Sequence, residues 1–190
     1  MNYHNITKDD MLNGEGIRVV LWLAGCEHQC PGCQNPQTWD KCSGIPFDDE
    51  AKAELFEALS KDYIDGITFS GGDPMATFNR NEVFELIKEI KMNFPTKTVW
   101  CYTGYTFEQL MRSEARSNLY RCIDILVDGR FIKALSENVT AIPWRGSTNQ
   151  RVIDVKKTFA TGNIVLLPGT EETTDYSMVV NTQKCACACR

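Results

Sequence analysis

The sequence predicts an α/β fold on a mostly parallel sheet. Short apolar runs rich in β-branched residues alternate with stretches of helical periodicity, and each apolar run leads straight into a chemically distinctive loop. Strands separated by helices need crossover connections, which parallel pairing requires. A chain of 190 residues with 43% apolar content is enough for one core. No run of about 18 apolar residues is present, so no membrane-spanning helix is expected. The opening run Met1-Asn2-Tyr3-His4-Asn5-Ile6 has neither a basic stretch nor an apolar core, so no secretory signal is expected. Nine cysteines without such a signal point to a reducing, cytoplasmic compartment where thiols bind metal rather than pair. A net charge of −5 with no basic stripe argues against a nucleic-acid partner.

The elements follow in order. Residues 17–24 read as a buried strand, continuous, β-rich and too short for a helix. Residues 48–60 read as a helix with Leu55, Phe56 and Leu59 on one side. Residues 67–70 form a second strand. Residues 79–92 form a helix whose inner stripe is Val83, Phe84, Ile87 and Ile90, stopped by Asn93-Phe94-Pro95. Residues 98–102 form a third strand, and Thr106 with Gln109 offers a capping box for the helix after it. Residues 123–127 form a fourth strand. No internal repeat or low-complexity tract precedes the tail.

The four strands run into the cysteine-bearing segment from Cys26, Gly71-Gly72-Asp73-Pro74, Thr103-Gly104-Tyr105 and Asp128-Gly129-Arg130. Sites in parallel α/β architectures form at the carboxyl ends of strands, so these loops are expected to line one mouth. Such convergence favours an enzyme over a non-catalytic binding or electron-transfer module.

Cys26, Cys30 and Cys33 carry the strongest chemical signal, in the spacing C-x3-C-x2-C. Chance placement of the cysteines gives roughly 0.02 such triplets in a chain of this length. Three thiolates on one loop can hold three corners of an iron–sulfur cube and leave the fourth iron without a protein ligand. Zinc is the alternative, with His28 or Cys42 closing a tetrahedral site. Gly71 and Gly72 allow positive φ and close backbone approach to a ligand, and Asp73 could accept a ligand ammonium. Asp128 could accept ribose hydroxyls, and Arg130 could hold a carboxylate or form a surface ion pair. Asn13-Gly14-Glu15-Gly16 precedes a strand and lacks the rest of a nucleotide fingerprint, which excludes a phosphate loop. The run Trp144-Arg145-Gly146-Ser147-Thr148-Asn149-Gln150 reads by default as a structural loop. His4 and His28 read as structural, and Cys42, Cys101 and Cys122 as buried or incidental thiols.

The cysteine triplet after an apolar strand, with Gly-Gly-Asp-Pro downstream, resembles the radical S-adenosylmethionine (SAM) enzymes. Within them the chain is similar to the activating proteins of the anaerobic (class III) ribonucleoside-triphosphate reductase. The likeness runs through Met1-Asn2-Tyr3-His4, Asn13-Gly14, Cys26 to Asn35, Thr38-Trp39, Ser70 to Pro74, Trp100, Thr103-Gly104-Tyr105, Val127-Asp128-Gly129 and Trp144 to Gln150. It covers roughly residues 1–155. It implies a partial (β/α) barrel of the radical SAM type over 1–155, with 156–190 as an extension.

The implied chemistry is specific. Cys26, Cys30 and Cys33 would hold a [4Fe–4S] cluster whose open iron is chelated by the amino and carboxylate groups of SAM. After reduction by a small donor such as flavodoxin, the cluster would cleave SAM to methionine and a 5′-deoxyadenosyl radical. That radical would take a hydrogen atom from a glycine of the large reductase subunit, leaving a glycyl radical. Gly32, Cys33 and Gln34 would lie along the adenine, Gly72 and Asp73 would hold the methionyl ammonium, and Asp128 is a ribose candidate.

The chain also departs from its superfamily. Gly32 stands where radical SAM enzymes often have an aromatic residue, which fits the reductase activators better than the pyruvate formate-lyase activators. Glu15 stands where related activators often have proline, and no second set of ferredoxin-like cysteines follows Cys42. The tail has no counterpart in the resemblance and ends with Cys185, Cys187 and Cys189, which alternate onto one face of an extended segment. They read as part of a loose terminus, while residues 164–167 could dock as an extra strand.

Overall fold

The computed structural model describes residues 1–113, 115–136 and 143–170. Within them the strands are β1 (Asn2–Asp10), β2 (Arg18–Leu23), β3 (Ile45–Pro46), β4 (Gly66–Gly71), β5 (Thr98–Tyr102), β6 (Ile125–Asp128) and β7 (Arg151–Asp154). The helices are α1 (Asp49–Leu59), α2 (Arg80–Asn93), α3 (Phe107–Met111), α4 (Arg116–Cys122) and α5 (Val155–Thr161). All seven strands join one sheet in the order β3-β1-β2-β4-β5-β6-β7.

This sheet corrects the expectation of a mostly parallel, partial radical SAM barrel. β2, β4, β5 and β6 pair in parallel, but β1–β2, β1–β3 and β6–β7 are antiparallel. The result is an open, mixed sheet whose outermost strands, β3 and β7, do not meet. The physical reason lies in the connections. Helices α1, α2 and α3–α4 return the chain for each parallel strand, whereas among the described residues no crossover helix links β1 to β2 or β6 to β7, and those pairs are antiparallel. The predicted alternation of strands and helices holds between β2 and β6, and the antiparallel strands β1, β3 and β7 join the sheet outside the four strands expected.

The predicted helices form where their caps and stripes place them. Asp48 caps α1 by accepting from Ala51 N at 3.0 Å, a contact of about 1 kcal/mol, and Asp49 and Glu50 complement the helix dipole. The α2 stripe of Val83, Phe84, Ile87 and Ile90 is buried, each side chain stabilising by about 1.5–3 kcal/mol. Thr106 and Gln109 form the complete capping box of α3.

The sheet separates two apolar layers. Val19, Leu21, Leu23, Ile67, Phe69, Val99, Cys101 and Leu126 face the helices. Alternate residues, among them Trp100, Ile125, Val127 and Val152, form a second cluster covered by Trp144 and Leu167. Chain beyond β7 packs back on this frame. Phe159 of α5 meets Phe107 with ring centroids 5.9 Å apart, and Leu166 bridges Ile153 in antiparallel register. Residues 164–167 therefore dock at the sheet edge by one bridge. Cys185, Cys187 and Cys189 lie outside the described residues.

Candidate iron–sulfur site

The loops that follow the four parallel strands meet around one cavity of about 110 Å³. Cys26, His28, Cys30 and Cys33 come from the first loop, Ser70–Asp73 from the second, Tyr102–Gly104 from the third and Gly129 with Phe131 from the fourth. Gln150, just before β7, completes the wall.

Backbone bonds tie the loops together. Gly72 N donates to Leu23 O and Asp73 N to Gly25 O, both at 2.7 Å. This approach requires glycine: Gly71 has φ +96°, and a Cβ at Gly72 would lie 2.4 Å from Gly25 O. Gly25 N and Cys26 N in turn donate to Thr38 O and Trp39 O, so the Thr38-Trp39 turn fixes where the triplet begins. Asn79 Nδ2 bridges Ala24 O and Asp73 O from within the core.

The thiols sit in partly desolvated surroundings. Burial pushes the Cys26 thiol up, opposed by backbone N–H donation from His28 and Gln29. Asn35 N donates to Cys33 Sγ at 3.3 Å. Cys30 is buried, and its carbonyl accepts from Cys33 N at 3.0 Å. Elsewhere, Cys42 is exposed, while Cys101 and Cys122 are buried in the core.

Asp73 is buried at the meeting point of three loops. Its Oδ1 accepts from Met75 N at 2.8 Å, and its Oδ2 accepts from Gly104 N at 3.0 Å and Thr103 Oγ1 at 3.1 Å. Gly32 has φ +75° and lies at the rim, where a Cβ would meet Lys133 Cδ at 2.8 Å, so a bulky residue there would displace Lys133. Gln34 is exposed and lies outside the cavity wall.

Asp128 points elsewhere. Arg151 Nε donates to its Oδ1 at 3.0 Å, and Phe107 N donates to its Oδ2 at 2.7 Å. Burial raises the Asp128 carboxyl, and the guanidinium opposes that shift. Asp128 therefore braces the α3 start against β7 instead of lining the cavity. Arg130 spends one donor on His28 O at 2.7 Å, again bracing the cysteine loop.

Two wall residues had other readings from sequence. His28 reads as structural, or as a closing ligand if the metal were zinc, and Gln150 lies in a run read by default as a structural loop. Gln150 Oε1 accepts from Gly146 N and Ser147 N while its Nε2 donates to Gly129 O, so the 144–150 run buttresses the fourth loop. The density of hydrogen-bonding side chains in that run was the available signal.

Three cysteines of a single loop line one cavity with a glycine-rich turn at the carboxyl ends of the parallel strands, the donor chemistry of an iron–sulfur protein. In agreement, the family model described as a 4Fe-4S single cluster domain matches residues 12–153. The chain belongs to the family of anaerobic ribonucleoside-triphosphate reductase-activating proteins. It is 42% identical over 152 residues to the one from Enterobacteria phage T4, covering 80% of this chain and 93% of that protein. It is 39% identical over 152 residues to the Vibrio cholerae protein, covering 79% and 96%, and 38% over 154 residues to that of Escherichia coli K12, covering 80% and 97%.

The chemistry of the loop fits a cluster: three cysteines line one cavity, and backbone N–H groups donate to Cys26 and Cys33, although among the described residues no three His, Cys, Asp or Glu side chains stand grouped as a preformed metal site. Of the two candidates for closing a zinc tetrahedron, Cys42 is exposed and His28 Nε2 is held 2.9 Å from Asp73 Oδ2. Among the described residues no helix is long and apolar enough to cross a membrane.

Proposed function

We propose that this chain is a radical SAM activase, an oxidoreductase that generates the glycyl radical of the anaerobic ribonucleotide reductase large subunit. The observation that carries the reading is the convergence of the Cys26–Cys30–Cys33 thiols and the Gly71–Asp73 turn on one cavity. Relatives named as activating proteins of that reductase, covered over nearly their whole length, support it. The bound [4Fe–4S] cluster and SAM supply reductive cleavage of the sulfonium–C5′ bond and hydrogen-atom abstraction from the reductase glycine.

The chain supplies placement. Cys26, Cys30 and Cys33 hold the cluster and leave one iron for SAM. The Gly72 backbone and Asp73 take the methionyl ammonium, and Gly32, Cys33 and Gln34 lie along the adenine at the rim. Asp128 serves indirectly, by holding the third and fourth loops together through Phe107 N and Arg151. The reductase large subunit and a small electron donor such as flavodoxin are the protein partners, in the cytoplasm, without nucleic acid or membrane.

The test is anaerobic incubation of the iron-loaded protein with SAM, a reductant and the reductase, followed by electron paramagnetic resonance. An organic radical on the reductase that requires all components is expected. A radical on pyruvate formate-lyase instead, or none with a fully loaded cluster, overturns the reading.

A further inference from the structure

Glu27 and His28, which follow Cys26 in the x3 spacer, grip the two neighbouring loops. The His28 ring lies edge-on to Tyr105, with centroids 4.5 Å apart at 71°. Its Nε2 lies 2.9 Å from Asp73 Oδ2, with side chains 12% and 2% exposed. The ring nitrogen makes no hydrogen bond there, so packing against Asp73, Gly104 and Tyr105 holds the ring in place. The slot exists because residue 104 is glycine: a Cβ there would lie 2.3 Å from His28 Cδ2. Glu27 reaches outward to Thr77 Oγ1 at 2.6 Å and to the Tyr105 hydroxyl.

Asp73 is where these grips meet. Among the described residues its Oδ2 is surrounded by Thr103 Oγ1, Gly104 N and His28 Nε2, while Oδ1 takes Met75 N. A carboxylate has about four acceptor sites, two on each oxygen. Oδ2 is thus spent within the protein, and Oδ1 keeps one site for a ligand.

We propose that His28 is a positioning residue. Wedged between Asp73, Gly104 and Tyr105, its ring sets the cysteine loop against the Gly71–Asp73 turn and thereby fixes the Asp73 carboxylate in the cavity wall. The proposal rests on the reading that SAM binds beside the cluster, and it deepens that reading by assigning a side chain inside the cysteine spacer to ligand placement.

The test uses full-length, cluster-loaded protein carrying His28→Ala, His28→Gln or Gly104→Ala. Gly104→Ala attacks the same contact from the opposite loop and decides the matter if His28→Ala does not fold. Iron per chain should be unchanged in all three. In His28→Ala and Gly104→Ala, amide exchange at Met75 and Tyr105 should quicken about tenfold, and about tenfold more SAM should be needed to perturb the reduced cluster's paramagnetic resonance signal. His28→Gln, which refills much of the volume of the ring between Asp73, Gly104 and Tyr105, should restore most of both. A general packing defect would lower the melting temperature in all three variants without this rescue. Exchange rates and SAM requirement within about twofold of the unmodified protein in both His28→Ala and Gly104→Ala overturn the proposal. If the unmodified protein itself does not respond to SAM, the reading of the site fails, and the exchange rates alone decide the role of His28.

Discussion

At the amino ends of the parallel strands Arg18 is fully buried on the sheet face shared with Thr68 and Trp100, and every partner is neutral. Its guanidinium donates to Thr68 Oγ1, Thr98 Oγ1, Glu15 O, Ile67 O and Thr98 O, and stands 5.4 Å from the Trp100 ring centroid. At the carboxyl ends of the same strands, the three cysteines and Asp73 line a cavity, and Asp73 Oδ1 keeps one acceptor site beyond its bond from Met75 N. Cavity size would have misled. The larger space, about 560 Å³, lies at the amino ends, lined by Glu15, Asp65, Asp124 and Lys156. Its charges are committed: Asp65 accepts from Ile17 N, and Asp124 pairs with Lys91 and Lys156. Chemistry follows unsatisfied, convergent groups rather than volume.

The largest effect should fall at the carboxyl end. Replacing Cys26, Cys30 or Cys33 with Ala should each abolish iron retention and radical formation, because two thiolates are too few. Cys42→Ala and Cys122→Ala should keep iron and sulfide at the level of the unmodified protein. Iron loss in either of these, or full activity in a triplet variant, would break the assignment of ligands.

At the opposite end the effect should be on folding alone. Arg18→Met strands the buried acceptors Thr68 Oγ1 and Ile67 O and should cost about 3 kcal/mol, read from urea midpoints. Iron per folded chain should be unchanged. A loaded protein of normal stability would show that the buried cation is dispensable.

Asp73→Asn sharpens the contrast by removing charge with little change in volume. SAM affinity should fall about ten- to a hundredfold, the loss of a charge-assisted bond of about 1.5–3 kcal/mol, with the cluster intact. Equal SAM dissociation constants by equilibrium binding would remove Asp73 from the ligand's shell.

The smallest effect is a pH dependence at the amino end. Burial alone pushes the Asp124 carboxyl up, but bonds from Lys156, Lys91 and Val99 N outweigh it and hold the group below its ordinary 3.8. A depressed native value means that its stabilisation is present above pH 3.8 and is lost as pH falls through the native value. Urea midpoints of Asp124→Asn should therefore fall less steeply below that pH than those of the unmodified protein. Parallel acid limbs would exclude Asp124 as a source of acid sensitivity.

The elements legible in the sequence are those whose information is local. The α2 stripe, the Thr106–Gln109 box and strand 98–102 all lie where periodicity and capping place them. β1 and β7 were not anticipated. Both make antiparallel pairs towards the ends of the sheet, and β1 buries only Tyr3 and Ile6, three residues apart across a register irregularity in a polar run, so neither alternation nor a continuous apolar signal marks it. Of the site, Cys26, Cys30 and Cys33 were legible because the spacing itself is improbable by chance. The partners of His28 and Gln150 were not, because a single polar side chain carries no signal for which distant loop it meets.

The linear chain by itself determined the ligand loop, the glycines that let Gly71-Gly72 approach Gly25, and the order in which loaded loops follow strands. These depend on residues near one another in the chain, where backbone geometry leaves few choices. The tertiary structure decided that the sheet stays open and mixed, that Asp128 is consumed by Arg151, and that Asp73 joins three loops. Each of those outcomes depends on which distant groups come within about 3 Å, since a hydrogen bond or ion pair is won or lost over less than the length of one side chain.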